Sequence, residues 1–566
     1  MKNSSCIFLF FLFFCSFIFG QIEYPKGFIS PLSIPLDVSG SFGELRSNHF
    51  HSGIDLKTDK REGLDVFAVA DGYISRIKIA TFGYGKAIYI THPNGYTTVY
   101  GHLQKANGKI EQYIKNKQYE QKAFEVELFL KPNELIVKQG DIIAFSGNSG
   151  GSGAPHLHFE FRDNKTEKII NPLHFGFNKF VNDVLKPELQ DILVYPIDST
   201  IVNKSQNPIS VSFNKISDGN YIASKVIANG KIGFGINAFD YCTNPYNKNG
   251  LYKVKAYLNG VLYYEYELET FAFDESRFVN SLIDYARFKT KKQRVQKMFQ
   301  EIPFPLSIVK ANKTNGIINV RPNATYTYRI EIFDFHGNKV QITIPIEFGS
   351  KGVIFKKEDK SSKYFIKAAK EYNYEKDNVS VYIPENTFYE DFNLNFEVKE
   401  GILTIHNETI PGYKNMTITF ADVQGLTEDQ LQKTFIAGID GYTLDYNKTY
   451  RKGTTFKLYT RNLGKYKLAQ DSIAPRIYNV NFVEGKNLIK QATISVFIAD
   501  NLSGIDTFNA YLNGNWILME YDYKTKKLIH RLEDNKYAEG RNDLKIIVTD
   551  AMQNSTTFES YFFMNN

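Results

Sequence analysis

Apolar and polar residues alternate with a period of two along most of this chain, in short runs separated by Gly, Asn, Asp and Pro. Val379-Ser380-Val381-Tyr382-Ile383 and Met416-Thr417-Ile418-Thr419-Phe420 are two such runs. Successive side chains of an extended segment point to opposite faces, so this period predicts strands with one buried and one wet face. One segment departs from it. Between 274 and 300, Phe278, Leu282, Ile283, Tyr285 and Ala286 recur at helical spacing, which predicts a helical insertion with a solvated basic end, Lys289 to Arg294. Composition strengthens the mainly-β reading: aromatic residues make up 15% of the chain, and Tyr, Phe, Ile, Val and Thr suit half-buried pleated surfaces.

A chain of 566 residues is too long for one core, and about three to five domains are expected. An internal repeat helps to place them. Ala256-Tyr257-Leu258-Asn259-Gly260 recurs as Ala510-Tyr511-Leu512-Asn513-Gly514. Upstream, Phe239-Asp240 corresponds to Ala499-Asp500. Downstream, the run ending at Asp334, with Asn338 four residues on, corresponds to the run ending at Asp550, with Asn554. Two sandwich modules resembling immunoglobulin-like folds are implied, near 195–350 and 475–566. The expected organisation is a first domain over 21–185 and a β module over 186–350 that carries the insertion. A further β module over 351–474 follows, then a last one over 475–566, entered through Asp471-Ser472-Ile473-Ala474-Pro475.

The first twenty residues differ in kind. Lys2 precedes an apolar run from Ile7 to Phe19, with Gly20-Gln21 as a cleavage point. That run is shorter than the ~20 residues needed to span a bilayer, so an export signal over 1–20 is expected rather than an anchor. Cys6 and Cys15 leave with it, and Cys242 alone remains, in a setting unlike that of a nucleophile. The net charge of +7 is small and dispersed, which gives no case for nucleic acid.

Of the ten histidines, seven lie between His49 and His174. Three elements there carry chemistry. His51-Ser52-Gly53-Ile54-Asp55 places an imidazole and a carboxylate four apart. Tyr100-Gly101-His102-Leu103 ends a hairpin that turns at Pro93-Asn94-Gly95. Pro155-His156-Leu157-His158-Phe159 reads as a strand that points His156 and His158 to one face, and a loop from Gly147 to Ala154 leads into it. One nitrogen of that strand, one further His and one carboxylate make three ligands and leave a fourth position for water, the catalytic zinc pattern. Spacing leaves His49 in contention, because His49-Phe50-His51 is a second His-x-His.

At these residues the chain resembles the lysostaphin-type (LytM, M23 family) zinc endopeptidases over roughly 36–175. The likeness also takes in Ser39-Gly40-Ser41-Phe42-Gly43, Val66 to Gly72 and Val137 to Gly147. It implies an antiparallel β-sheet catalytic domain with one Zn2+ held by His51, Asp55 and His158. His156 then resembles the catalytic base and His102 the second catalytic histidine, while His49 is a neighbour and His92 and His174 are structural. The implied activity is hydrolysis of peptide bonds in peptidoglycan stems or cross-bridges by an exported protein, in the periplasm, the envelope or outside. Partners expected are peptidoglycan and, through the β modules, other envelope proteins, with no membrane span once the signal is removed. The alternative is a non-catalytic module that binds wall or activates an amidase, and a third reading is a peptidase acting on proteins. An insertion over about 104–136 departs from the compact family pattern and reads equally as a surface hairpin or as a lid beside the cleft.

Overall fold

The structure, a computed structural model, describes residues 23–565 apart from 199, 243–246, 303 and 350–361. The expected export signal lies outside the described residues. No helix among them is long and apolar enough to cross a membrane.

Alternation is strictest in His156–Asp163. Leu157, Phe159 and Phe161 are fully buried on one side of this strand, and His156, His158, Glu160 and Arg162 share the other. Phe161 stacks on Phe175 at 3.9 Å, and Phe159 and Phe177 close the same aromatic core. The strand lies inside an antiparallel sheet whose order is Val38–Gly40, Ile54–Lys57, His156–Asp163, Tyr96–Gly101, Lys86–Thr91, Gly72–Ile79 and Val126–Phe129. A smaller sheet of Asp65–Phe67, Ile142–Phe145 and Lys105–Ala106 contributes Val66, Ile143 and Ala144 to the same core.

The 104–136 segment is not a plain surface hairpin. It forms a helix, Gly108–Gln121, and the edge strand Val126–Phe129, at the opposite edge of the sheet from the Ile54–Lys57 strand. Ile110, Ile114 and Gln118 bury one helical face, a period hidden among the charged residues between them.

Beyond residue 186, the described residues form three large hydrophobic cores and a small satellite around Leu193, Tyr195 and Phe299. The first gathers around the long strand Val226–Phe239, and the second lies between two five-stranded sheets over 372–470. The third lies between two four-stranded sheets over 476–564. The repeated sequence is a repeated turn. Asn259 and Gly260 have φ of 50° and 79°, and Asn513 and Gly514 have 51° and 79°, the left-handed pair of a tight Asn-Gly hairpin. The expected insertion over 274–300 is helical only in pieces, Val279–Leu282 and Tyr285–Lys291, because Ile283 bridges back to Gln296 between them. Its basic end is not simply solvated: Lys289 pairs with Glu408 and Arg294 with Glu44, each at 2.6 Å.

The modules interlock. Thr270–Phe271 adds a strand to the first sheet through Ile169–Ile170, and Phe271 is buried against Phe42 and Phe50. The last module folds back onto the first. Lys115 reaches Asp534 at 2.7 Å, the Tyr119 hydroxyl donates to the same carboxylate at 2.8 Å, and Tyr119 meets Trp516 edge-on at 5.6 Å. Lys86 pairs with Glu520 at 2.6 Å, and both side chains are four-fifths or more buried.

Burial alone would raise the Glu520 pKa, but Lys86 and Arg531 outweigh it and hold it at about 2. A carboxylate depressed below its unfolded value stabilises the fold above that value and loses the contribution as pH falls towards the folded one. Docking of the last module is therefore expected to weaken between about pH 5 and pH 2, by at most ~3 kcal/mol. Thermal unfolding across that range should show the loss, and Glu520→Gln should remove that part of the pH dependence. An unchanged profile in the variant would contradict the assignment.

Candidate active site

Antiparallel register brings the distant motifs together. His158 lies directly opposite Asp55 on one side and Gly101 on the other. Directly paired residues hold their side chains within reach, so Oδ1 of Asp55 is 2.8 Å from Nδ1 of His158. Nε2 of His51 completes a triangle, 3.0 Å from Asp55 Oδ1 and 3.1 Å from His158 Nδ1. All three residues are buried. His49 turns away: it is exposed, and its Nδ1 bonds the Ser47 carbonyl at 2.9 Å.

The triangle can hold a metal ion. Its donors face inward because each opposite atom is already engaged. Nδ1 of His51 donates to the Ser41 carbonyl at 2.8 Å, which leaves Nε2 its lone pair. Nε2 of His158 donates to Oε1 of Glu160 at 2.8 Å, which frees Nδ1. Oδ2 of Asp55 accepts from Arg46 at 2.6 Å, which turns Oδ1 inward. Zinc bonds of ~2.0–2.2 Å in a tetrahedron separate neighbouring donors by about 3.4 Å, so the three atoms need to part by only a few tenths of an ångström. Two imidazoles and a carboxylate are also the donor types such an ion takes.

His156 and His102 stand beside the triangle, their rings 4.8 Å apart. Nε2 of His156 is 3.4 Å from Asp55 Oδ1, while its Nδ1 donates to the Ala154 carbonyl at 2.8 Å. Nδ1 of His102 donates to the Ser149 carbonyl, also at 2.8 Å. In each ring Nδ1 is engaged by a backbone carbonyl, so Nε2 is the nitrogen left for chemistry. Burial, reinforced by His158 and His156, lowers the His102 pKa to about 3 and keeps it neutral. His102 has a φ of 59°, left-handed backbone that a non-glycine residue adopts rarely and mostly where surrounding structure enforces it. The enforcing contact is loop on loop. At Gly150, with φ of 69°, a Cβ would sit 2.3 Å from the Gly85 nitrogen, so the loops carrying Ser149 and Tyr84 meet backbone to backbone. The last module closes on this loop as well: Lys524 donates to the carbonyls of Asn148 and Ser152, and Tyr523 packs on Phe82 at 4.7 Å.

Sequence reasoning missed the supports. Glu160 is wholly buried, accepts from Ser52 at 2.6 Å, and is gripped by Nε and Nη2 of Arg162 at 2.8 and 2.7 Å. Burial alone would protonate it, but Arg162, His158 and Ser52 outweigh burial and hold its pKa far below the usual carboxylate range. The signal was present: the alternation that aligns His156 and His158 also puts Glu160 and Arg162 on the same face. Tyr84, stacked on His158 at 4.9 Å, and Arg46 carried no comparable signal. His92 uses Nδ1 on the Asp71 carbonyl and Nε2 on Thr98, and His174 packs among Tyr24, Tyr252 and Phe335.

A buried His/Asp/His donor set flanked by two further imidazoles on an antiparallel sheet is the donor chemistry of a metallopeptidase centre. Residues 49–119 match peptidase family M23, a span that includes His51, Asp55 and His102, and residues 363–471 match the Zu5-like domain. The chain is 32% identical over 155 residues to a protein of Haemophilus influenzae named an uncharacterized metalloprotease, covering 26% of this chain and 27% of that one. It is 33% identical over 161 residues to the DD-carboxypeptidase/endopeptidase Mpg of Neisseria meningitidis, covering 27% of this chain and 30% of that one. Among solved structures, the catalytic domain of lysostaphin from Staphylococcus simulans is similar at 26% identity, covering 23% of this chain and 82% of that one, with a TM-score of 0.18. The chain thus spans less than a third of the length of these two curated relatives. Its amino-terminal region thus resembles peptidase family M23, the match lying at residues 49–119, and β-rich modules follow it.

Glu160 offers a direct test of the donor geometry. Glu160→Gln keeps the shape but removes the charge that fixes His158, and it is expected to weaken zinc affinity about 10–100-fold. A competition titration against a zinc chelator reads this, with thermal unfolding to show that the variant is folded. Unaltered affinity in a folded variant would refute the role.

Proposed function

We propose that the chain is an exported zinc-dependent endopeptidase that hydrolyses peptide bonds in peptidoglycan stems or cross-bridges. The observation that carries this reading is the convergence of five side chains, His51, Asp55, His158, His156 and His102, around one inward-facing donor triangle. The name of the Neisseria meningitidis relative, a DD-carboxypeptidase/endopeptidase, supports the endopeptidase reading.

In this reading His51 Nε2, Asp55 Oδ1 and His158 Nδ1 hold zinc, which supplies Lewis acidity to the scissile carbonyl and brings the pKa of water to ~7. His156 is the most exposed of the site imidazoles, and its Nε2 points at the triangle. It takes the proton of the attacking water and returns it to the leaving amine as the C–N bond breaks. His102, neutral and with Nδ1 engaged, first accepts a hydrogen bond at Nε2 and so orients that water. Held neutral by burial, it acts on the water and not as a donor to the oxyanion, a more specific role than the general second histidine that family likeness implies. Arg46 and Glu160 keep the ligands aimed, and burial keeps water off the hydrogen bonds of Glu160.

Purified mature protein incubated with sacculi is expected to release muropeptides with new amino and carboxyl termini, read by mass spectrometry. Chelation should abolish release and zinc should restore it. His156→Ala and His102→Ala are expected to lower kcat by about 10²–10⁴ while retaining zinc, whereas His51→Ala, Asp55→Ala and His158→Ala should lose the metal. Zinc-replete protein that binds sacculi yet creates no termini would leave the binding-module reading standing. Cleavage of proteins but not of sacculi would replace the substrate class.

A further inference from the structure

The two repeated modules share a feature that the peptidase chemistry does not use. In each, an aspartate of the segment entering the module meets two aspartates of the repeat. Asp183 enters beside Asp240 and Asp334, and Asp471 enters beside Asp500 and Asp550. Donor atoms of Asp183, Asp240 and Cys242 lie within 4.8 Å of one another, as do those of Asp471, Asp500 and Asp550.

The two frames correspond bond for bond. Asn338 donates through its backbone N and Nδ2 to the two carboxylate oxygens of Asp334, at 2.8 and 2.6 Å, and Nδ2 also reaches the Asp183 carbonyl at 3.3 Å. Asn554 donates in the same way to Asp550 at 2.8 and 2.7 Å, and reaches the Asp471 carbonyl at 3.0 Å. Two residues past each entering aspartate, the N–H of Leu185 or Ile473 donates to its Oδ1, at 3.1 and 3.2 Å.

Positive charge is what both frames lack. Among the described residues, no Lys or Arg pairs with any of these six carboxylates, and the one ring nearby is that of His336, 3.7 Å from Asp183. Asp240 is 4% exposed, Asp334 3%, Asp471 1% and Asp550 0%. The same atom is left over in both copies: Oδ1 of Asp240 and Oδ1 of Asp500 are buried with no hydrogen-bond partner, as is Oγ of Ser503. In the first copy Asp183, Asp240 and Asp334 line one cavity of about 30 Å³, room for a single ion or water. Burial, followed by the charges of Asp183 and Asp334, pushes the Asp240 pKa up to about 8. Buried carboxylate oxygens without donors, pressed against further carboxylates, are costly unless a cation shares the space.

The donors common to both frames are carboxylate oxygens, which is the chemistry of a hard divalent cation with an adaptable shell. Cys242, two residues after Asp240, stands where the other copy has Leu502, so sulfur is no part of the shared frame. Burial also pushes its thiol well above the ordinary range, which keeps it protonated. We propose that each module junction is a calcium site, one formed by Asp183, Asp240 and Asp334 and the other by Asp471, Asp500 and Asp550. Each ion ties the incoming chain to its module and so sets the angle at which the module leaves its predecessor. The first ion also sits behind the peptidase site, because Ser41, whose carbonyl receives His51, lines the same cavity.

The test uses the full mature chain, loaded with zinc and dialysed free of calcium. Calcium chloride is titrated in, bound calcium is counted by equilibrium dialysis, and thermal unfolding is followed in parallel. Two equivalents and a rise in Tm are expected. Asp240→Asn and Asp500→Asn should each leave one equivalent, and the double variant none. These substitutions relieve crowding of like charges, so the variants are expected to fold without calcium, and circular dichroism checks this. The wild-type stoichiometry is a test that needs no variant. No calcium bound at concentrations on the order of 10 mM, above the ~10⁻³ M dissociation constants of weak extracellular modules, overturns the proposal. So does a double variant that keeps both equivalents, and so does a first site that takes up zinc in preference to calcium.

Discussion

The two-faced strand His156–Asp163 is the constraint to which the rest of the peptidase region answers. Its apolar side chains lock into a stacked aromatic core, and its polar side chains stand in one line above the sheet. A slip of one residue would exchange the faces and turn the histidines of this strand into the aromatic core. The register that seats Phe159 and Phe161 therefore also sets His158 opposite Asp55. Glu160 and Arg162 extend the line inward as a buried pair, and the cost of that burial is offset by their hydrogen bonds to each other, to Ser52 and to His158. The pair keeps one imidazole of the triangle aimed, so core packing and ligand geometry are one problem with one solution.

The carboxyl-terminal two thirds of the chain bear on this region through three contacts of different kinds. A strand from the second module extends the catalytic sheet and sends Phe271 into its core. The broken helical insertion brings Ser276 to the backbone of Phe50 at 2.9 Å and Arg294 to Glu44. The last module grips the helix Gly108–Gln121 and the loop that carries Ser149 and Ala154. The segment over 104–136 thus forms a platform on which the chain closes back upon itself. Through Lys524 and Tyr523, residues of the last module reach the loops that hold His102 and His156, so the walls around the site come from more than one module.

Much of the architecture could be read from the residues in order. Period-two runs announce the strands, the repeated Asn-Gly pairs announce equivalent hairpins, and the spaced motifs single out the five side chains that converge. Each of these is local: alternation, turn chemistry and motif spacing relate residues only a few positions apart. The helix at Gly108–Gln121 escaped because its buried face is thin and partly polar, Ile110, Ile114 and Gln118 among charged neighbours. The insertion over 274–300 was read as one helix because spacing cannot show that Ile283 will leave the helix to bridge Gln296.

Folding in three dimensions settled what neighbours in the chain could not. His51 rather than His49 enters the triangle because the Ser41 carbonyl captures one ring while Ser47 draws the other outward. Arg46 and Glu160 become supports of the ligands only once Asp55 and His158 face each other across two strands. Lys86 meets Glu520 and Lys524 meets Ser152 across hundreds of residues of sequence. Period and spacing follow from the covalent geometry of the strand and are therefore written along the chain. A contact between distant residues depends on how whole modules pack, and no local pattern encodes it.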